Sequence, residues 1–388
     1  MKNKNYRNVI TSILVTIISI ILIIIGNYIC KPNIPTNDDE LFYKAKIILI
    51  EKTDLDEFSL DDGETTISNK NIVFTAKITN GDHKGEEIVG SQYIDALYFV
   101  QPKEIEIGDN IVVSYTQDPQ TSDYIWQFAE YNRMSYIMWL VAIFFVIIIL
   151  IGSKKGIATI MSLVFTGGAI FLVYIPAILK GYNIYTWTCI VSLFVIFMSL
   201  ILINGVNKKT LAAILGNTGG VLVAGLLGLF MNNLLDITGF IDESSAFLMD
   251  IGTAAAIDLK AIVWGSIVIG SLGAIMDVAM SIASAMNEFS ETMENKSFKK
   301  MLKSGMNVGR DAIGTMTNTL ILAYIGGSLA TVLLILGNNK NLLFMMNLEM
   351  IVVEIIKSLV GSMGILFAVP VTAIFSAYIF NTTHKNHD

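Results

Sequence analysis

Gly270-Ser271-Leu272-Gly273-Ala274-Ile275-Met276-Asp277-Val278-Ala279-Met280-Ser281-Ile282-Ala283-Ser284-Ala285-Met286-Asn287-Glu288 is apolar enough to lie in a bilayer, yet it carries a carboxylate inside it. A charge at that depth costs about 3 kcal/mol or more unless it faces a partner, a water-filled cavity or a neutralising proton. On a helix, Asp277, Ser281, Ser284 and Glu288 recur at i, i+4, i+7 and i+11 and form one polar stripe. Gly270, Gly273 and Ala274 beside it would let another helix approach closely. The stripe reads either as a satisfied polar seam between helices or as a functional site, and ionisable groups inside membranes are functional by default.

Composition agrees with a membrane chain. Of 388 residues, 53% are hydrophobic and 15% charged, against about a quarter charged in soluble domains. Residues 31–133 hold 20 acidic and 9 basic residues, and the rest of the chain holds 13 and 17. An acidic segment joined to a basic membrane part does not suggest nucleic-acid binding. Cys30 and Cys189 are too far apart in sequence to suggest a disulfide framework or a metal site. Cys30 follows an apolar run, but Asn27, Tyr28 and Ile29 precede it instead of the small residues lipidation requires. The run is read as an uncleaved anchor.

Apolar stretches long enough to span recur at about 9–29, 135–153, 156–178, 184–204, 210–231, 259–286, 313–336 and 359–380. The chain therefore reads as an α-helical polytopic membrane protein of about eight transmembrane helices. Lys2, Lys4 and Arg7, then Lys154 and Lys155, Lys208 and Lys209, and the basic group from Lys296 to Arg310 all fall on one side if each stretch crosses once. That side is cytoplasmic by the positive-inside rule, so both termini are expected inside and residues 31–133 outside. Trp139, Trp187 and Trp264 then lie near the outer ends of their spans, where an aromatic belt belongs.

The outer segment, 31–133, separates the anchor at 1–30 from a seven-helix membrane domain at 134–388. Alternation at 42–50, 71–79 and 110–117, with turn residues at Asn80-Gly81 and Gly108-Asp109, predicts a small extracytoplasmic all-β domain. An OB-like barrel fits the spacing, and a small sandwich is the alternative. Residues 54–69 read as a polar loop. Tyr93, Tyr98 and Phe99 are read as core residues in preference to a binding face. Residues 232–258 read as an outer loop with a re-entrant or surface helix. Residues 343–358 read as an amphipathic helix at the outer interface, with Asn347, Glu354 and Ser358 on one face.

A second polar stripe lies on the seventh span, where Asp311, Thr315 and Asn318 share a face. Asn318 lies roughly 8 Å and Asp277 roughly 13 Å inside the cytoplasmic ends of their spans, at 1.5 Å per residue. The two stripes overlap in depth on consecutive antiparallel helices, so Asp277 is expected near Asn318. Glu288 and Arg310 at the cytoplasmic edge form a candidate pair. Gly216-Asn217-Thr218-Gly219-Gly220 on the fifth span offers a GxxxG packing surface, or a loosened helix exposing carbonyls beside Asn217. Pro370 is expected to kink the last span.

Absences narrow the chemistry. The sequence holds no Walker A motif and no HExxH, and His83, His384 and His387 lie outside the spans. Asp258 and Asp277 on one helix would sit roughly 28 Å apart, too far for an aspartyl dyad. No cofactor, no metal site and no enzyme are expected.

Gly270-x-Leu272-Gly273-Ala274-x-x-Asp277, Asn287-Glu288, Gly309-Arg310-Asp311 and Thr317-Asn318-Thr319-Leu320-x-x-x-Tyr324-x-Gly326 follow an anchor and a β domain. With Gly361-Ser362-x-Gly364 and Val369-Pro370-Val371-Thr372, they resemble the YibE/F-like family of bacterial membrane proteins over essentially the whole chain. The resemblance implies a multi-pass plasma-membrane protein, and it brings no established activity, substrate or catalytic residue. Two function classes stay open. One is a secondary permease in which Asp277, Ser281, Ser284, Thr315, Asn318 and Asn217 line a polar path for an unknown small solute, Asp277 carrying the coupling proton. The other is a non-transporting assembly or sensory protein whose β domain binds a protein partner. The lipid bilayer is the partner common to both, and the sequence fixes no oligomeric state.

Overall fold

The computed structural model describes residues 2–32, 41–59, 66–96, 102–117, 123–250, 257–293, 297–338 and 341–381. The chain divides into two compact units, Pro35–Ile147 and a second made of Met1–Ile34 with Ile148–Asp388.

The smaller unit contains five strands: β1 (Leu41–Ser59), β2 (Thr66–Ile78), β3 (Glu87–Ile94), β4 (Asn110–Gln117) and β5 (Tyr124–Tyr131). They close in the order β1-β2-β3-β5-β4, with β3 and β5 parallel and the other pairs antiparallel. This is a Greek-key barrel of the OB type, as the strand spacing predicted. Closure rests on the short β3–β5 contact at Gly90 and Ser91. The period-2 pattern aims Ala45, Ile47, Phe74, Ala76, Ile78, Ile111 and Val113 into one core. In β3, Ile88, Gly90, Gln92 and Ile94 point inward while Glu87, Val89 and Tyr93 point out. Buried Gln92 is satisfied at both ends: its amide donates to the Lys103 carbonyl (3.0 Å) and its oxygen accepts from the Ile105 N–H (3.0 Å). The strand thereby holds the 102–109 segment, whose Ile105 enters the core.

Two sequence expectations about this unit are corrected. Residues 54–69 are largely the outer part of a β1–β2 ribbon, with Asp54 opposite Asn71 and Ser59 opposite Thr66. Lys52, Thr53 and Leu55 are exposed there, so the ribbon has no core face to impose alternation, and backbone pairing alone defines it. Tyr93 is 58% exposed instead of core, and its hydroxyl accepts from Asn69 Nδ2 at 2.6 Å. Tyr98 and Phe99 lie outside the described residues.

In the larger unit, α1 (Lys2–Cys30) is followed, after the barrel, by α2 (Met134–Ala169), which begins in the smaller unit. A π-turn (Ile170–Tyr174) continues α2 into α3 (Ile175–Leu179). Then come α4 (Ile184–Asn204), α5 (Lys208–Leu234), α6 (Glu243–Asp250), α7 (Leu259–Thr292), α8 (Phe298–Gly327), α9 (Leu329–Asn338), α10 (Leu342–Met345) and α11 (Glu349–Asn381). Start signals are explicit. Asn183, Asn207, Asp258 and Ser297 each accept the N–H three residues on, capping α4, α5, α7 and α8.

Among the described residues, six helical stretches are long and apolar enough to cross a membrane, and Met134–Leu179 is one of them at 46 residues. That stretch is broken at Ser153 (φ 50°, ψ −128°). A Cβ at Gly156 would lie 2.3 Å from the Ile148 carbonyl oxygen, whereas a straight helix separates those positions by about 12 Å. The chain bends back sharply at Lys154-Lys155, dividing the stretch where the sequence placed two spans. The expected span 313–336 is instead the end of α8 plus α9, with Ser328 between them.

Helices α5, α7, α8 and α11 form the central bundle, and α4 packs on α7 and α5. Ile275, Ile282 and Met286 of α7, Met301 of α8 and Ile365 and Val369 of α11 are fully or almost fully buried in it. In lipid such close packing, more than the hydrophobic effect, holds helices together. The expected separate helix at 343–358 is corrected: Glu349–Ser358 forms the first turns of the continuous 33-residue α11, which also contains Pro370. In the 232–258 region, Glu349 accepts from the N–H and hydroxyl of Thr238 and from the Gly239 N–H, at 2.6–2.9 Å. Gly239 is needed there: its φ is +86°, and a Cβ would meet Leu259 backbone at 2.4 Å.

Candidate functional site

The α7 and α8 stripes come from helices whose opposite faces are fixed by packing. Ile275, Val278, Ile282 and Met286 turn one side of α7 inward; Met301, Gly305, Gly309 and Leu320 do the same for α8. A Cβ built at Gly305 would meet Met286, one at Gly309 would meet Ile282, and one at Gly270 would meet the Tyr324 hydroxyl. These contacts set the antiparallel register. Asp277 falls level with Thr315, Asn318 lies about one turn farther along, and Arg310 is level with Ser281.

Asp277, Ser281, Thr315 and Asn318 are all exposed on this chain, and Ser284 is half-buried. The Thr315 hydroxyl donates to the Ala312 carbonyl (3.1 Å), and that of Thr319 to the Thr315 carbonyl (2.8 Å). Among the described residues, no hydrogen bond or ion pair reaches Asp277. Glu288 and Arg310 do not pair in this structure. By the same register Glu288 lies level with Lys303, roughly 10 Å along the axis from Arg310, whose Nη1 reaches Asn307 Oδ1 at 3.5 Å.

Asn217 occupies a different environment. It is fully buried on α5, and neither end of its amide has a partner among the described residues. Gly216 and Gly220 beside it pack directly on α11: a Cβ at the first would meet Thr372 and one at the second Ala368. The helix stays regular through these glycines, so the packing function of the GxxxG pair is the one realised.

Polar groups that the sequence reading passed over line two clefts. One, of about 320 Å³, lies between α2, α4 and α7 and is bordered by Ser162, Thr166, Ser192, Ser199, Gly273 and Met276. The Ser162 hydroxyl donates to Ser199 at 2.8 Å, while Ser192 is buried with no partner among the described residues. The second, of about 310 Å³, lies between α4, α5 and α7 and is bordered by Cys189, Ser192, Thr218 and Trp264. Ser192 thus borders both clefts, and the first runs beside Asp277 through its neighbours Gly273 and Met276. Heptad spacing of Ser192 and Ser199 in an otherwise apolar helix was the available signal. Where α8 gives way to α9, Ser328 donates to Glu354 (2.7 Å), which also pairs with Lys357 (2.6 Å).

On the barrel, Tyr124 stacks on Tyr115 (ring centroids 5.0 Å apart), and Trp126 is tilted against Tyr115 at 4.4 Å. His83 and Tyr43 complete this aromatic group. Nearby, the Tyr131 N–H and the Arg133 guanidinium hold the Glu130 carboxyl below its ordinary range. Partial burial, then the Asp109 and Glu106 carboxylates, push the Tyr131 phenol up. Among the described residues no group of three or more His, Cys, Asp or Glu could hold a metal ion; His384, His387 and Asp388 lie outside them.

Searches of curated proteins and of solved structures found no match. One family does match, described as YibE/F-like protein, over residues 140–382. The match takes in α4 to α11 and most of α2, and it leaves the barrel outside, so it is narrower than the whole-chain resemblance expected. It covers well over half of the sequence and includes every residue of both polar stripes; the chain belongs to the YibE/F-like family.

Proposed function

We propose that the membrane unit is a secondary permease in which the α7–α8 face carries a small solute, with Asp277 as the proton-binding group. One observation supports this above the others. Asp277 stands in a long apolar helix with no hydrogen bond or ion pair among the described residues, level with Thr315 on the neighbouring helix. A seam that merely fixed packing within the chain would give its carboxylate a partner there. The orientation that goes with this reading places both termini in the cytoplasm of a bacterial cell and the barrel outside. In intact cells an impermeant thiol reagent should label Tyr93→Cys and spare Lys299→Cys; the reverse pattern overturns that orientation.

Asp277→Asn tests the proton role. It removes the charge and keeps nearly the same shape. Normal membrane abundance and thermal stability with a null-strain growth phenotype is the expected result. Wild-type growth would exclude Asp277 as proton carrier, and lost abundance would assign it to structure.

A second reading has its own observation. The Tyr115, Tyr124 and Trp126 group on the barrel, with Tyr124 53% exposed, suits a surface that binds a protein partner. Under that reading, Tyr124→Ala with Trp126→Ala abolishes function while Asp277→Asn does not.

A further inference from the structure

The glycines of the membrane unit differ in what an added Cβ would meet. At Gly216, Gly220, Gly305, Gly309 and Gly364 an added Cβ would run into a neighbouring helix at 3.0 Å or less. At Gly273 of α7 and Gly314 of α8, as at Gly152, Gly167, Gly326, Gly327 and Gly337, it would meet nothing within 4 Å. Gly314 lies on the exposed face that bears Asp277 and Thr315, and Gly273, one turn from Asp277, is exposed where it borders the α2–α4–α7 cleft. Small residues in membrane helices admit a close neighbour, and at Gly314 none of the described residues supplies one. Three exposed ionisable groups lie on or beside this face with no ion pair among the described residues: Asp277 and, about one helical turn away in level, Arg310 with its neighbour Asp311. A polar face turned to lipid is costly. Arg310 is the one cation among these three, and a second copy can set it against Asp277, close in level, on a surface with an open glycine.

We infer that a second copy of this chain covers the α7–α8 face, with Arg310 of each copy reaching Asp277 of the other. A two-fold axis along the membrane normal brings residues of equal depth together and makes both contacts at once. Gly273 and Gly314 let the backbones approach, and the long Arg310 side chain spans the one-turn offset. The polar groove around Ser281, Thr315 and Asn318 is then shared by two copies. This inference stands on exposure and charge, and it holds whether or not the groove conducts a solute.

Oxidative cross-linking in native membranes tests it, with the full chain carrying Cys30→Ala and Cys189→Ala. Gly314→Cys and, separately, Thr315→Cys should each give a disulfide-linked species of twice the chain mass. Phe230→Cys, exposed on α5, should give none. Adding Asp277→Asn or Arg310→Gln should lower the dimer yield about tenfold, and the exchange Asp277→Arg with Arg310→Asp should restore it. Membrane abundance measured alongside identifies a variant that fails to insert; the other cysteine position then carries the test. Yields at both face positions no greater than at Phe230→Cys would overturn the proposal. So would a cross-linked product of any mass other than twice the chain, which would mean a different protein covers the face.

Discussion

The α5–α11 contact and the α7–α8 face use the same small residues to opposite ends. On the first, Gly216 and Gly220 lie so close to Thr372 and Ala368 that a Cβ has no room, and the buried surface is almost continuous from Ala212 to Ala224. On the second, Gly273 and Gly314 face open space beside an unpaired carboxylate. A glycine motif alone therefore says only that something approaches closely. Whether that neighbour lies inside the chain has to be read from what each missing Cβ would touch.

The largest effect should come from filling the closed side. Gly220→Leu drives a side chain into Ala368, Ile275 and the Gly364 carbonyl, an overpacking that costs about 1–3 kcal/mol or more. Membrane abundance and the unfolding midpoint should both fall steeply, whereas Gly314→Leu should leave the abundance of the single chain near wild type. Equal losses would erase the distinction between the two faces.

Next in size is the barrel, where Gln92→Leu removes both hydrogen bonds to the 103–105 segment. The Lys103 carbonyl still accepts from the Tyr131 hydroxyl, but leaving the Ile105 N–H unpaired should cost about 1–3 kcal/mol, read as a lower unfolding midpoint. An unchanged midpoint would show that Ile105, the Tyr131 hydroxyl and the Lys70–Glu104 pair hold the segment without Gln92.

Asn217→Leu sharpens the comparison from inside the bundle. Replacing an amide that has no partner by an apolar group of similar size should be neutral or stabilising by up to about 1 kcal/mol. A marked loss of stability would mean that the amide finds partners, such as water, within the bundle.

The smallest effect belongs to Lys357→Met, which breaks the pair with Glu354 while Ser328 still donates to the carboxylate. A loss of about 1 kcal/mol or less is expected from thermal unfolding. A larger loss would place the α8–α9 break among the essential contacts.

Much of this architecture could be read from the sequence, for identifiable reasons. Unbroken apolar runs marked the long helices, and the Lys154-Lys155 pair marked the bend within Met134–Leu179. β4 was found at its observed bounds because Ile111 and Val113 alternate with less buried neighbours. β3 was missed because its inward positions include Gly90 and Gln92, which carry no hydrophobic signal. β5 was missed because its burial does not alternate. The polar stripes were legible at helical spacing, but not the side of the bundle they occupy. That depends on the α7–α8 register, set by Gly305, Gly309 and Gly270 against partners distant in sequence. The amide of Asn217 resembled the stripe residues in sequence, and only packing separates it from them.

Water at the α7–α8 face is the most direct test of the central claim, that the polar residues there form a site and not a dry seam. In everted membrane vesicles, the chain with Cys30→Ala and Cys189→Ala and a single Ser281→Cys should react with a small hydrophilic thiol reagent. Its rate should approach that of Lys299→Cys, and Leu226→Cys, exposed on α5, should stay unlabelled. Ser281→Cys as inert as Leu226→Cys would contradict the account, because a groove without water carries neither a proton nor a polar solute to Asp277.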